Sequence, residues 1–185
     1  MKIINGIFKG KSIKFLKNSK TRPLKNAVRE NIFNILKHSP LIKAKLYNAN
    51  ILDLYSGIGS FGIESLSRNA KNVIFVEQDK VASNILKDNL VYLSIINKTK
   101  IFNDKVENVL KILKEKFDIF FFDPPFANSD FLQEIKFIKK RELFKKNHII
   151  IIHREKKTED NFENLIEIIK TKYYGRSKII FGVFK

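Results

Sequence analysis

Apolar residues along this chain follow two different rhythms. Val28, Ile32, Ile35 and Leu36 recur on one face at helical spacing, which predicts a helix over about 26–38, entered after Pro23 and ended by Ser39-Pro40. From Ile51 onward, short continuous apolar runs alternate with longer mixed stretches. The runs Ile51–Leu54, Val73–Val76, Lys100–Asn103, Ile119–Phe122 and His148–His153 predict strands. The stretches Phe61–Arg68, Asp79–Leu93, Val106–Lys116, Asp130–Lys139 and Thr158–Thr171 predict helices. Lys172–Tyr174 and Lys178–Phe184 predict a closing strand pair around Gly175, and Lys2–Phe15 predicts two short strands around Gly6 and Gly10. The polar stretch Lys17–Arg22 joins that opening to the first helix.

Continuous apolar strands alternating with helices predict an α/β fold with a mostly parallel sheet covered on both faces. Such sheets bind ligands beyond the carboxyl ends of their strands. Asp53, Glu77, Asp104 and Asp123 each fall at or just past such an end.

Composition narrows the picture. With 185 residues, 44% of them hydrophobic, the chain is expected to form one domain with a real core. It has no cysteine, which excludes disulfides, thiolate metal sites and cysteine nucleophiles. Its three histidines, His38, His148 and His153, are scattered, so no metal is expected. No signal-like or membrane-spanning run is seen, and a cytoplasmic location is expected. The net charge of +17 attracts polyanions, nucleic acid first. The abundance of Lys, Asn, Ile and Phe also fits AT-rich coding, so charge alone does not decide the partner.

The segment Asp53-Leu-Tyr55-Ser-Gly57-Ile-Gly59-Ser-Phe-Gly62 places G-x-G-x-x-G between a strand and a helix. Glycines there let the backbone turn sharply and approach a ligand closely. Glu77 follows Gly57 by about 20 residues, where a carboxylate can accept from both ribose hydroxyls. A dinucleotide dehydrogenase and an S-adenosylmethionine methyltransferase both fit these features. Asp53 favours the second: a carboxylate there suits the amino-acid end of S-adenosylmethionine and would oppose a pyrophosphate. Asp104, after the third strand, is a candidate partner for the adenine amino group, or a cap.

Asp123-Pro124-Pro125-Phe126 follows a strand directly. Two prolines fix φ and remove two N–H donors, leaving a stiff loop rich in carbonyls. An exocyclic amine on a base is a poor nucleophile, because its lone pair is delocalised. Asp123 and the Pro124 carbonyl can each accept one N–H and turn that lone pair outward. Phe126 can stack the base, a contact worth about 1–3 kcal/mol.

Taken together these motifs resemble the bacterial RsmD-type small-subunit ribosomal RNA guanine-N2 methyltransferases over nearly the full length. The resemblance is carried by Lys2-Ile-Ile-Asn-Gly6, Arg22-Pro23, Val28-Arg-Glu-Asn-Ile-Phe-Asn-Ile-Leu36, Asp53–Arg68, Phe75-Val-Glu77, Asp123–Phe126 and Tyr174-Gly-Arg-Ser-Lys178. Leu24 and Ile58 depart from the family's usual residues. The resemblance implies a Rossmann-like class I methyltransferase of seven strands. In that fold, residues 1–40 form a hairpin and helix extension and residues 41–185 the catalytic core. It further implies S-adenosyl-L-methionine as cofactor, a guanine of 16S ribosomal RNA as substrate, in an assembling small subunit, and action as a monomer. Arg22, Lys25 and Arg29 are the candidate RNA contacts. The alternatives are methylation of DNA adenine or protein glutamine, dinucleotide-dependent oxidoreduction, and a non-catalytic RNA-binding factor.

Overall fold

Alternate side chains of a strand face opposite sides of its sheet, so a strand apolar at every position needs cover on both sides. The computed structural model, which describes residues 1–16 and 24–185, shows this cover. The elements run α1 (Asn26–His38), β1 (Asn50–Leu54), α2 (Ser60–Ser67), β2 (Asn72–Val76), α3 (Lys80–Tyr92) and β3 (Thr99–Phe102). They continue α4 (Val106–Ile112), β4 (Phe117–Phe122), α5 (Phe131–Lys140), β5 (Phe144–Glu155), β6 (Ile166–Tyr174) and β7 (Ser177–Phe184). The strands form one seven-stranded sheet in the order β3-β2-β1-β4-β5-β7-β6.

The pairings from β3 to β5 are all parallel, while β7 runs antiparallel to both β5 and β6. The sheet is therefore mixed, with β7 the reversed strand.

Odd and even positions feed two separate cores. Ile51, Val73, Phe75, Ile119, Phe121, Ile149 and Ile151 pack with α1, α2 and α3 on one face. Leu52, Leu54, Ile74, Val76, Phe120, Phe122, Ile150 and Ile152 pack with α4 and α5 on the other. Phe33 of α1, Phe61 of α2 and Phe121 of β4 stack in a column, with centroids 5.1 and 4.1 Å apart. That column ties the first helix to the strand that leads into Asp123.

The N-terminal segment pairs through a single bridge, Lys2 with Ser12, rather than the expected pair of strands. Ile3, Gly10 and Ile13 donate within the segment, to Lys11 O, Ile3 O and Met1 O, while other backbone donors go to α2. Ile4 N and Asn5 N donate to the two oxygens of Glu64, each at 2.9 Å. Ile7 N donates to Ser67 O at 2.8 Å and Phe8 N to Ser67 Oγ at 3.1 Å.

Two further expectations need correction. No helix spans 158–171. Phe162, Leu165, Ile166 and Ile169 have helical spacing, but Asn164 turns left-handed at φ 59° and the chain then pairs along β7. Strand pairing overrides the local pattern there. The helix expected over 106–116 stops at Ile112, because Leu113 turns extended (ψ 138°) to enter the core. Among the described residues, no helix is long and apolar enough to cross a membrane.

Candidate active site

Strands β2, β1 and β4 are neighbours, so their carboxyl ends bring three loops together. At the end of β1, Asp53 is buried and its Oδ2 accepts from Gly62 N at 2.9 Å, tying the strand to the start of α2. Tyr55, Gly57 and Gly59 all take positive φ (58°, 55° and 79°). At Gly59 a Cβ would lie 2.4 Å from Leu86 Cδ1, so packing as well as conformation requires glycine. At Gly57 a Cβ would meet nothing within 4 Å. There the backbone faces open space where a ligand can approach.

Glu77, just past β2, grips this turn. Its Oε2 accepts from Gly57 N at 2.7 Å and its Oε1 from Asp79 N at 2.8 Å. Asn103 Nδ2 donates to the carbonyls of Glu77 (2.8 Å) and Gln78 (3.1 Å), joining the β3 end to the same loop. Burial raises the affinity of Glu77 for a proton, opposed by the Asp79 and Gly57 N–H groups. Burial acts more strongly on Asp53, holding its carboxyl well above the usual range. The Gly62 N–H opposes that shift, while the charges of Asp123 and Glu77 add to it.

Three buried polar atoms around this turn, Asp53 Oδ1, Ser56 Oγ and Glu134 Oε2, have no partner among the described residues. Buried polar atoms are normally satisfied, so unpartnered ones grouped near the carboxyl end of β1 suit a polar ligand. Together with the free approach at Gly57 and the carboxylate of Glu77, they fit the amino-acid and ribose parts of S-adenosylmethionine. Tyr55 Oη donates to Glu134 Oε1 at 2.7 Å. Burial pushes Glu134 up to about 7, with the Tyr55 hydroxyl opposing, and burial together with the same pairing pushes the Tyr55 hydroxyl up.

The loop after β4 is clamped from β5. Asp123 N donates to Leu54 O at 3.3 Å, holding the loop beside β1. Arg154, buried in β5, donates to Pro125 O at 3.2 Å and Phe126 O at 3.0 Å. The same guanidinium is held by Asp160 at 3.0 Å and lies 4.6 Å from the Phe131 ring centroid. A buried cation fully paired in this way is a rigid strut. Asn128 N also donates to Pro125 O, at 2.8 Å. Among the described residues no donor reaches Pro124 O, which leaves that carbonyl for an incoming amine. Asp123 Oδ1 lies 2.7 Å from His153 Nδ1, and its side chain stays 25% exposed.

Asp53, Tyr55, Gly57, Gly59 and Glu77 thus meet Asp123, Pro124, Pro125 and Phe126 at one end of the sheet. Asp104 sits at the neighbouring β3 end, but its Oδ1 accepts from Lys105 N (2.7 Å) and Asn108 Nδ2 (3.0 Å), as a helix-start residue does. Lys25 is exposed immediately before α1. Arg22 and Pro23 lie outside the described residues.

Arg29 corrects its expectation as an RNA contact. It is fully buried, donates to Lys2 O at 2.6 Å, and lies 3.8 Å from Glu64. It fastens the N-terminal segment to α1 and cannot meet a phosphate from there. Leu24 is buried in the same core, so its departure from the family pattern serves packing.

Sequence reasoning missed Ser56, Glu134, His153, Arg154 and Ser177. His153 and Arg154 did carry a signal: they are the polar residues that end the Ile149–Ile152 run, as Glu77 ends Val73–Val76. Glu134, inside a helix, carried none.

A family model described as conserved hypothetical protein 95 matches residues 1–183. The chain is 34% identical to ribosomal RNA small subunit methyltransferase D of Haemophilus influenzae, over 84% of this chain and 79% of that one. It is 31% identical to an uncharacterised methylase of Rickettsia prowazekii, over 97% and 96%. A solved Haemophilus influenzae structure superposes with a TM-score of 0.79 at 28% identity, covering 100% of this chain and 98% of that one. The glycine turn gripped by Glu77 and the clamped Asp-Pro-Pro-Phe loop therefore stand in a chain that belongs to the RsmD-type methyltransferase family.

Proposed function

We propose that this protein transfers the methyl group of S-adenosylmethionine to the exocyclic N2 amine of a guanine in small-subunit ribosomal RNA. One observation carries the reading: the rigid Asp123–Phe126 loop opens beside the glycine turn held by Asp53 and Glu77, on adjacent strands. The donor's methyl and the acceptor amine can then meet between them.

Glu77 binds the ribose, and the Gly57–Gly59 backbone lets the donor approach. Asp53 Oδ1 and Ser56 Oγ serve its amino-acid end. The bound sulfonium supplies an electrophilic methyl, whose C–S electron pair leaves on sulfur as the N–C bond forms. Asp123 and the Pro124 carbonyl accept the two N–H groups of the amine and direct its lone pair. Phe126 stacks the base. The methylated amine is then cationic and releases one proton to solvent, so no strong base is required. Much of the acceleration comes from positioning. Exposed Lys25 meets the RNA backbone.

The test is incubation with labelled S-adenosylmethionine and undermethylated small subunits or their RNA, followed by mapping of the product. N2-methylguanine at a single position is the expected product. Label appearing in DNA adenine or in protein glutamine instead would replace the substrate assigned here.

A further inference from the structure

We infer that His153 is a positioning residue for this reaction: it fixes one oxygen of Asp123 through Nδ1, is itself anchored by Ser177, and so presents the other oxygen to the acceptor amine. The inference rests on the proposed function for its chemistry and on three adjacent strands for its geometry.

Phe122 of β4 lies beside Ile152 of β5, so the next residues, Asp123 just past β4 and His153 still within β5, stand side by side. His153 Nδ1 is 2.7 Å from Asp123 Oδ1, and His153 Nε2 is 2.9 Å from Ser177 Oγ. Ser177 opens β7, opposite Glu155 of β5. The imidazole is almost buried, at 8% exposure, and meets the edge of the Phe126 ring at 5.6 Å. Neighbours on both sides therefore hold it in one orientation.

The chemistry needs that orientation. A carboxylate that must accept from an amine is useful only if its free oxygen points one way. A lone aspartate at a strand end rotates about two side-chain torsions. An N–H donor bound to one oxygen removes that freedom, and a donor on a charged acceptor forms the stronger kind of hydrogen bond. With the proton on Nδ1, Nε2 is free to accept the Ser177 hydroxyl proton, so the two contacts are mutually consistent. The residue types are those of a hydrolytic triad, but the order of work is inverted. Here Asp123 faces the reaction and Ser177 is the remote anchor.

The substitutions are chosen by atom. His153→Asn keeps a donor where Nδ1 stood, whereas His153→Leu keeps the volume and loses the donor. Single-turnover methyl transfer should fall about 10–100-fold in His153→Leu, the scale of a small misplacement near a reacting group. Donor affinity and RNA KM should stay within about twofold, since ground-state binding is untouched. His153→Asn should recover most of the lost rate, and Ser177→Ala should lose less than His153→Leu. Wild-type rates in His153→Leu, or an Asn variant no better than the Leu variant while both bind donor normally, would overturn the inference. Nitrogen-15 NMR of the wild-type ring gives a readout that needs no activity. A proton on Nδ1 supports the pair, and a bare Nδ1 with a protonated Nε2 overturns it. If the wild type methylates no acceptor, the functional reading fails, and the ring measurement still decides the pair.

Discussion

At Asp123 the chemical requirement and the surrounding structure can be separated by substitution. Asp123→Ala removes the acceptor that the proposed function assigns to the amine but none of the groups around the glycine turn. Methyl transfer should drop by at least about 100-fold while donor affinity, read by calorimetry, changes little. Equal loss of both would mean that the loop also builds the donor site.

Glu134 offers a second test, of stability rather than rate. Its folded pKa is raised to about 7, so the folded state holds a proton that the unfolded chain releases near 4.5. Stability is therefore present in full below about pH 4.5 and declines as pH rises toward 7. Glu134→Gln keeps an oxygen for the Tyr55 hydroxyl and carries no charge. It should be more stable than the wild type at pH 8, by up to about 3 kcal/mol, and equal to it near pH 4.5. Urea melts at the two pH values read this directly, and a gap independent of pH would rule out the ionisation as its cause.

Among elements, the union of the N-terminal segment with α2 and α1 is the most exposed to single changes. Buried Glu64 accepts from Ile4 N and Asn5 N, and from Arg68 Nε at 2.8 Å. Glu64→Ala strands the buried Arg29 charge, the partly buried Arg68 charge and two backbone donors, and should cost about 3–5 kcal/mol in denaturant melts. A Cβ on Gly6 would sit 1.8 Å from Ser67 O, at a φ of 86°, so Gly6→Ala should release the same segment. Amide exchange should then rise at Ile4, Asn5 and Ile7 before it rises in β1.

Elements also show what the sequence could and could not tell. The central strands were legible because Ile51–Leu54 and Ile119–Phe122 carry apolar residues toward both faces, which neither a half-exposed strand nor an amphipathic helix does. Of the edge strand β6 only the end, Lys172–Tyr174, was legible, and Ile166–Thr171 was not. Ile168 and Tyr173 face solvent while Ile166 is buried, so its apolar residues read equally well as a helical stripe. Asn164 at positive φ and the partner β7 decided the matter, and neither is a property of the segment's own periodicity. In the site, the glycine turn and the Asp-Pro-Pro-Phe loop announce themselves by residue types at fixed spacing. The pairing of Arg154 with Asp160 and that loop needs three segments in space, and only the fold reveals it.

For the whole molecule, charge and topology act together. A net charge of +17 on a 185-residue chain should make RNA binding strongly dependent on salt. Affinity for a ribosomal RNA fragment should fall at least about tenfold between 50 and 200 mM salt, with a linear log–log slope counting the phosphate contacts. On the function proposed above, exposed Lys25 is placed among those contacts and buried Arg29 is not. Lys25→Ala should lower the slope by about 1, as expected of a single phosphate contact. A slope near zero would show that the basic surface lies away from the RNA.

The tether between the first residues and Glu64 has a consequence for biosynthesis. Ile4 and its acceptor are 60 residues apart. At about 5–20 residues per second, the leading segment waits roughly 3–12 s on the ribosome before its docking partner is made. Until Glu64 is made, the apolar side chains of this segment lack the cover of α2 and are open to chaperones and proteases.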